Sequence, residues 1–325
     1  WAWSGLAEFA RHCVYGLLPK RWLQSGKAPR REQFRLGAET AAGLSWGYIY
    51  GNSPPRALGL SLVAANLSHR AGTDGPRAVP YTMLGATWGT MGLESVADRY
   101  FAAARRSARE VDVVGQAFVQ RWIEGMHHFN FARWERGHGL VMEVLEQGRK
   151  TGDAHAMVNS LSILSIEAYH RGRLDDCVEF AGEARELARA NAYAVLETVT
   201  RCQLAAVHLH YGRFERALPL LADRAGVDES VEGVMTLITR RAIQAGALMQ
   251  AGRHRESLRA ADAAVELLEA NPAGNMTSIM AHYWLASVYM DGLGVARTRQ
   301  EPQADLASRV RLTMKWAKRF ARMYP

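Results

Sequence analysis

Gly172 in HRGRLDD, Gly212 in HYGRFER and Gly252 in QAGRHRE stand 40 residues apart, each followed by arginine. The same step reaches Asn52, Gly92, Ala132 and Gly292 without an insertion, so one structural unit is repeated along most of the chain. Five residues after these positions lie Ala57, Ala97, Gly137, Cys177, Ala217 and Ser257, and seven before them lie Ser45, Gly85, Gly125, Ser165, Ala205 and Ala245, with Leu285 the one departure. Small residues on both sides of a turn let two antiparallel helices approach closely, whereas bulky ones would hold them apart. Leu161, Leu164, Tyr169, Val178 and Phe180 fill the intervening positions at helical spacing. Each hairpin would leave an apolar face bare unless the next covered it, so the hairpins must stack.

The pattern predicts first helices near 33–50, 77–91, 113–129, 153–170, 193–210, 230–250 and 275–290, and second helices near 54–70, 94–109, 133–149, 174–190, 214–225 and 254–270. Breaks fall at NSPP, AGTDGPR, KTGD and ANPAGN, with Asp153 and Asp228 placed as helix N-caps. Residues 1–30 read as an N-terminal cap or the tail of a preceding domain, 31–291 as the repeat array, and 292–325 as a loop, near 292–305, followed by a basic capping helix. Val310, Met314, Trp316 or Ala317, Phe320 and Ala321 fall near one face of that last helix. The chain opens on Trp1 rather than methionine, which leaves room for a catalytic domain upstream.

The small slots, the Gly-Arg turn and a further small residue at Ala64, Ala104, Ala184 and Ala264 resemble the tetratricopeptide repeat. The best copies are YHRGRLDDCVEFAGEARELA and QAGRHRESLRAADAAVELL. The 40-residue period and the scarcity of a closing proline resemble the longer repeats of bacterial signal-transduction ATPases. The run LSWGYIYGNSPPRALGLSLVAANLSHRAGTDGPRAVPYTMLGATWGTMGLESVADRYFAAA resembles the start of the helical tail that follows a nucleotide cyclase or kinase and an AAA-type ATPase in such proteins. The resemblance implies an all-α, right-handed superhelical solenoid of six to seven antiparallel helix hairpins, acting as a non-catalytic interaction or sensory scaffold in the cytoplasm of a bacterium. No phosphate-binding loop or cyclase carboxylates are present to carry catalysis across.

Charge is unevenly spread. Residues 1–110 carry 14 basic and 7 acidic side chains, 111–290 carry 18 and 22, and 291–325 carry 8 and 3. A nucleic-acid binder would show a basic stripe with interleaved aromatics, which argues against that partner; the basic ends leave contact with anionic lipid open. No apolar run approaches the length of a transmembrane span. Cys13, Cys177 and Cys202 form no metal or redox motif and fit a reducing compartment.

Catalytic and metal chemistry find little support. His208 and His210 are two apart, so on a helix they point about 200° away from each other and cannot share an ion. In GMHHFNFARWERGH the histidines have no accompanying cysteine, and Phe129, Phe131 and Trp134 are expected to pack a turn that lacks glycine. Cys177 fills a small packing slot, and Asp175 and Asp176 suit the positive end of a helix dipole. No cofactor or metal is implied.

Function is therefore expected in the groove. The tetratricopeptide resemblance places Trp122, Met126, Asn130, Asn159, Ser162, Tyr169, His170, His210, Met249, Gln250 and His282 on the concave face. Such a mixture of aromatic, amide and imidazole groups suits a protein or peptide partner. The alternative is a sensor that holds a metabolite or nucleotide in the same groove. His170, His210 and Gln250 share one slot, two residues before the turn, and are expected to form a ladder across successive repeats.

Overall fold

The computed structural model describes residues 2–18, 20–50, 54–72, 77–110, 114–222, 233–271 and 279–323. They form two compact units, Trp1–His128 and Phe129–Pro325. Among the described residues the secondary structure is helix joined by short turns, without strand.

The first unit contains α1 (Ala2–Leu17), α2 (Lys20–Leu23), α3 (Ala28–Tyr50), α4 (Pro54–Ala71), α5 (Ala78–Thr90), α6 (Glu94–Glu110) and most of α7 (Val114–Asn130). α3 packs on α4, α4 on α5, and α5 on α6. The small slots do what their size allows. A Cβ on Gly85 would come within 3.2 Å of the Ala97 carbonyl and 3.0 Å of the Phe101 ring, and Ser61 in α4 donates to Ser45 in α3 (3.3 Å). α1 lies outside the repeat pattern but docks on α4, where buried His12 meets Asn66 Oδ1 (3.1 Å) and the Tyr100 hydroxyl (2.9 Å).

His127 and His128 lie inside the first unit. Both are buried against Phe101, with ring separations of 4.9 and 6.4 Å. A Cβ on Gly89 would overlap the His127 ring at 2.0 Å, so that glycine makes room for the imidazole. Nearby, the buried Glu124 carboxylate accepts from Arg105 and from Gln120 (2.7 Å). Burial raises its pKa, but the neighbouring His128 imidazole (3.8 Å) and the Arg105 charge outweigh that and hold it below the usual range.

The second unit contains α8 (Trp134–Thr151), α9 (Ala154–His170), α10 (Leu174–Ala190), α11 (Ala194–His210), α12 (Phe214–Leu221), α13 (Val234–Gln250), α14 (His254–Ala270), α15 (Ile279–Thr298) and α16 (Ala304–Met323). The hairpins are α9 with α10, α11 with α12, and α13 with α14. First helices also touch one another, α9 to α11, α11 to α13 and α13 to α15, which builds a face from first helices alone. The apolar slots bury fully: Cys177, Ala205, Ala217, Ala245 and Leu285 are all 0% exposed. Ser257 donates across its slot to the Ala245 carbonyl (2.7 Å).

The Gly-Arg pair has a double role. Gly172, Gly212 and Gly252 adopt φ of 72°, 67° and 73°, a left-handed conformation in which glycine carries no steric penalty. Around Gly172 the helix closes by Gly172 N–H to Tyr169 O (3.0 Å) and Arg173 N–H to Ala168 O (2.9 Å), and the same pair of bonds recurs at Gly212 and Gly252. Arg173 then reaches Asp176 in the first turn of α10 (2.6 Å) and Arg253 reaches Glu256 (2.8 Å). At the first of these turns Arg171 and Arg173 also hold the fully buried Glu167 carboxylate (3.0 and 2.6 Å), with His138 Nδ1 at 3.4 Å.

The expected N-cap at Asp153 forms, its Oδ1 accepting from Ala156 N–H (3.0 Å). Asp228 lies outside the described residues. Phe129 and Trp134 pack beside the glycine-free turn at 6.0 Å, with Ala132 at φ 53°.

Three expectations are corrected. α12 ends at Leu221 rather than near 225: Ala222 turns to an extended conformation (φ −61°, ψ 144°), its carbonyl bound by Arg201 (2.9 Å), while Arg240 lies at 3.4 Å from the carbonyl of Leu221. α15 runs through the turn position at Gly292 to Thr298, leaving a short connection in place of the expected loop over 292–305. A Cβ on Gly292 would sit 3.2 Å from Leu258, so this glycine serves helix packing instead of a turn. In α16 the inward residues include Leu306, Val310, Leu312, Thr313 and Trp316, while Met314 is exposed; the Phe320 side chain lies outside the described residues.

Candidate functional site

The face built by α9, α11, α13 and α15 opens a cavity of about 230 Å³ at the end of α11. His210, in the last turn of α11, is its hub. Its ring lies 5.3 Å from Tyr169, 5.9 Å from Tyr283 and 5.7 Å from Trp284. Burial lowers the pKa of His210 and raises that of Tyr169, so both are neutral at neutral pH, and the Tyr169 hydroxyl shares a hydrogen bond with His210 Nε2 (2.7 Å).

Trp284 forms the floor. It can lie against the backbone of α13 only because Gly246 has no side chain: a Cβ there would come 2.5 Å from the indole. Tyr283 meets Trp284 edge-on (5.2 Å, 79°) and is itself half exposed. Ser287 and Asp291 follow at four-residue steps along α15, which carries them to the same wall. Gln250 joins from α13, its amide N–H bonded to the Leu209 carbonyl (3.1 Å). Asp291 lies exposed on the rim of the cavity, and its partial burial raises its pKa.

The residues expected in the groove divide. Tyr169, His210 and Gln250 gather around the cavity. The ring that meets His210 from the preceding repeat is Tyr169, and His170 lies edge-on to Tyr169 at 5.6 Å, so the expected ladder is offset by one residue. Met249 is buried, its sulfur 3.2 Å from His254. His282 is buried beside Trp316 (6.5 Å), toward the last helix. Asn159 is buried and donates to the His155 carbonyl (2.8 Å). Ser162 belongs to a buried polar seam in which Gln203 donates to its carbonyl (3.1 Å) and meets Ser165. Trp122 is buried, and Met126 and Asn130 are half-buried along α7.

Tyr283, Trp284, Ser287, Asp291 and Gly246 were not among the expected residues. The repeat step maps Tyr283 onto Ile243, which is fully buried, and it ends the helix before Asp291. The signal that could have found them is Gly246, a glycine within a first helix of otherwise regular apolar pattern.

The backbone likeness to solved structures is measured against two helical-repeat proteins. One is a signal transduction ATPase with numerous domains, carrying a tetratricopeptide repeat sensor, from Pyrococcus horikoshii: TM-score 0.53 at 14% identity, covering 85% of this chain and 44% of that one. The other is a Rap protein complexed with competence and sporulation factor: TM-score 0.54 at 12% identity, covering 94% of this chain and 100% of that one. The fold is tetratricopeptide-like. This tetratricopeptide-like chain spans less than half the length of the ATPase. No family model and no curated protein matches its sequence. No helix among the described residues of the tetratricopeptide-like array is long and apolar enough to cross a membrane.

Proposed function

We propose that the chain is a non-catalytic protein-interaction or sensory scaffold, the repeat portion of a bacterial signalling ATPase, which holds a peptide segment of its partner on the first-helix face of the second unit. The observation that carries this reading is the open aromatic cavity around His210 and Trp284, built by residues from successive repeats. Its volume, about 230 Å³, is below the roughly 300–1,000 Å³ of small-molecule sites, which favours a side chain over a whole nucleotide or metabolite. The two similar structures support the direction of this reading, one carrying a repeat sensor and the other complexed with a factor.

A photo-crosslinking amino acid placed at Tyr283, and separately at exposed Glu179 on second helix α10, tests the proposal in lysate of the organism of origin. Partner capture from position 283 and not from 179 is expected. Equal capture at both positions, or none from 283, rejects it.

A further inference from the structure

Resting on that reading, we propose that the cavity at the end of α11 is a subsite for a cationic side chain, lysine or arginine, of the bound peptide. Three features of the lining select this chemistry. The walls are aromatic, with Tyr283, Trp284 and His210 mutually within 5.2–5.9 Å, and the faces of such rings attract a cation through their quadrupoles. The single acidic group on the wall, Asp291, has no ion-pair partner among the described residues, and burial is the one influence on its pKa. Among the described residues no lysine or arginine lines the cavity.

The competing ligand classes fit less well. An anion would approach Asp291 with like charge and find no cation to receive it. An aliphatic side chain would fill the aromatic space but strip more water from an uncompensated carboxylate, which costs free energy. A lysine or arginine satisfies both halves at once: its stem lies against the rings and its head reaches the carboxylate. His210 does not oppose this, because burial keeps it neutral at neutral pH and its Nε2 is occupied by Tyr169. Ser287 and Gln250 add neutral polar groups that accept hydrogen bonds from an ammonium or guanidinium.

The test uses the full chain and four pools of acetylated, amidated nonapeptides, randomised around a fixed central arginine, lysine, norleucine or glutamate, with agmatine and pentylamine as free cations. Wild type is expected to enrich the arginine and lysine pools about tenfold over the norleucine and glutamate pools. Asp291→Asn, on an exposed position, is expected to erase that preference while norleucine peptides still bind. Peptide binding without cation preference, or a preference that survives Asp291→Asn, overturns the cationic subsite and leaves the peptide groove standing. Binding of the free amines alone, lost in Asp291→Asn, retains the cation site but rejects the peptide as its source. No binding by any probe rejects both.

Discussion

Ala132 and Ala192 hold the left-handed conformation at φ 53° and 57°, in the company of glycines at 67° to 79°. A Cβ makes that conformation costly, by about 1 kcal/mol. Ala132→Gly and Ala192→Gly are therefore expected to raise stability by up to about 1 kcal/mol each, and Gly172→Ala to lower it by a similar amount, read from urea midpoints at constant slope. The cysteines offer a second check on the same scale. Cys177 is fully buried, with its thiol pushed up to about 12 by burial, and Cys202 is buried, whereas Cys13 is exposed. Native protein is expected to release one equivalent of thionitrobenzoate rapidly with Ellman's reagent at pH 8, and three after denaturation. Two fast equivalents in the native state would contradict the packing around Cys177 or Cys202.

At the scale of elements, α13 and α15 make the site through one missing methyl. Gly246→Ala is expected to displace Trp284, cost about 1–3 kcal/mol from overpacking and change the near-ultraviolet circular dichroism, with far-ultraviolet signal retained. A second property belongs to the contact of α15 with α16. His282 is buried beside Trp316, and burial lowers its pKa to about 4 from an ordinary 6.5. The unfolded chain takes up the proton first, so stability present above pH 6.5 is lost as pH falls toward 4, by up to about 3 kcal/mol. Replacing the imidazole in His282→Gln is expected to flatten the slope of melting temperature over that window. An unchanged slope counts against a neutral buried ring.

Much of this element plan was legible in the sequence. The 40-residue step and the paired small slots identified the hairpins because close helix contact tolerates few residue types. The turns between hairpins were less so: Gly152 and Ala192 repeat the left-handed turn with the same step, but alanine there gives no compositional signal. The site itself was half legible. Tyr169, His210 and Gln250 followed from position in the repeat, while Tyr283, Trp284 and Asp291 depend on α15 departing from it. A period describes what repeats share, and this cavity is made by what the last one does differently.

At the scale of the whole molecule, α16 covers part of the core of the second unit. Leu306, Val310 and Trp316 of α16 pack on the core of the second unit, and Arg309 comes within 3.5 Å of Asp262, which accepts from Tyr289 (2.7 Å). Removing residues 299–325 is expected to lower the melting temperature by several degrees and promote association, because it uncovers apolar core residues on which α16 packs. A deletion that leaves the melting curve and the sedimentation coefficient of a monomer intact would show that α16 is dispensable.

The passage of α15 through Gly292 also bears on how a protein of this kind grows. Between Gly172 and Gly252 the chain reverses at intervals that return the same slots to the same faces, so a duplicated 40-residue segment could be spliced there and find a prepared neighbour on either side. Beyond Gly252 the register shifts: α15 passes through Gly292 as helix, and the chain reverses only after Thr298. A second copy of the 40-residue unit is therefore accommodated between Gly172 and Gly252, where each junction meets matching slots, and not at Gly292, where it would interrupt α15 beside the cavity.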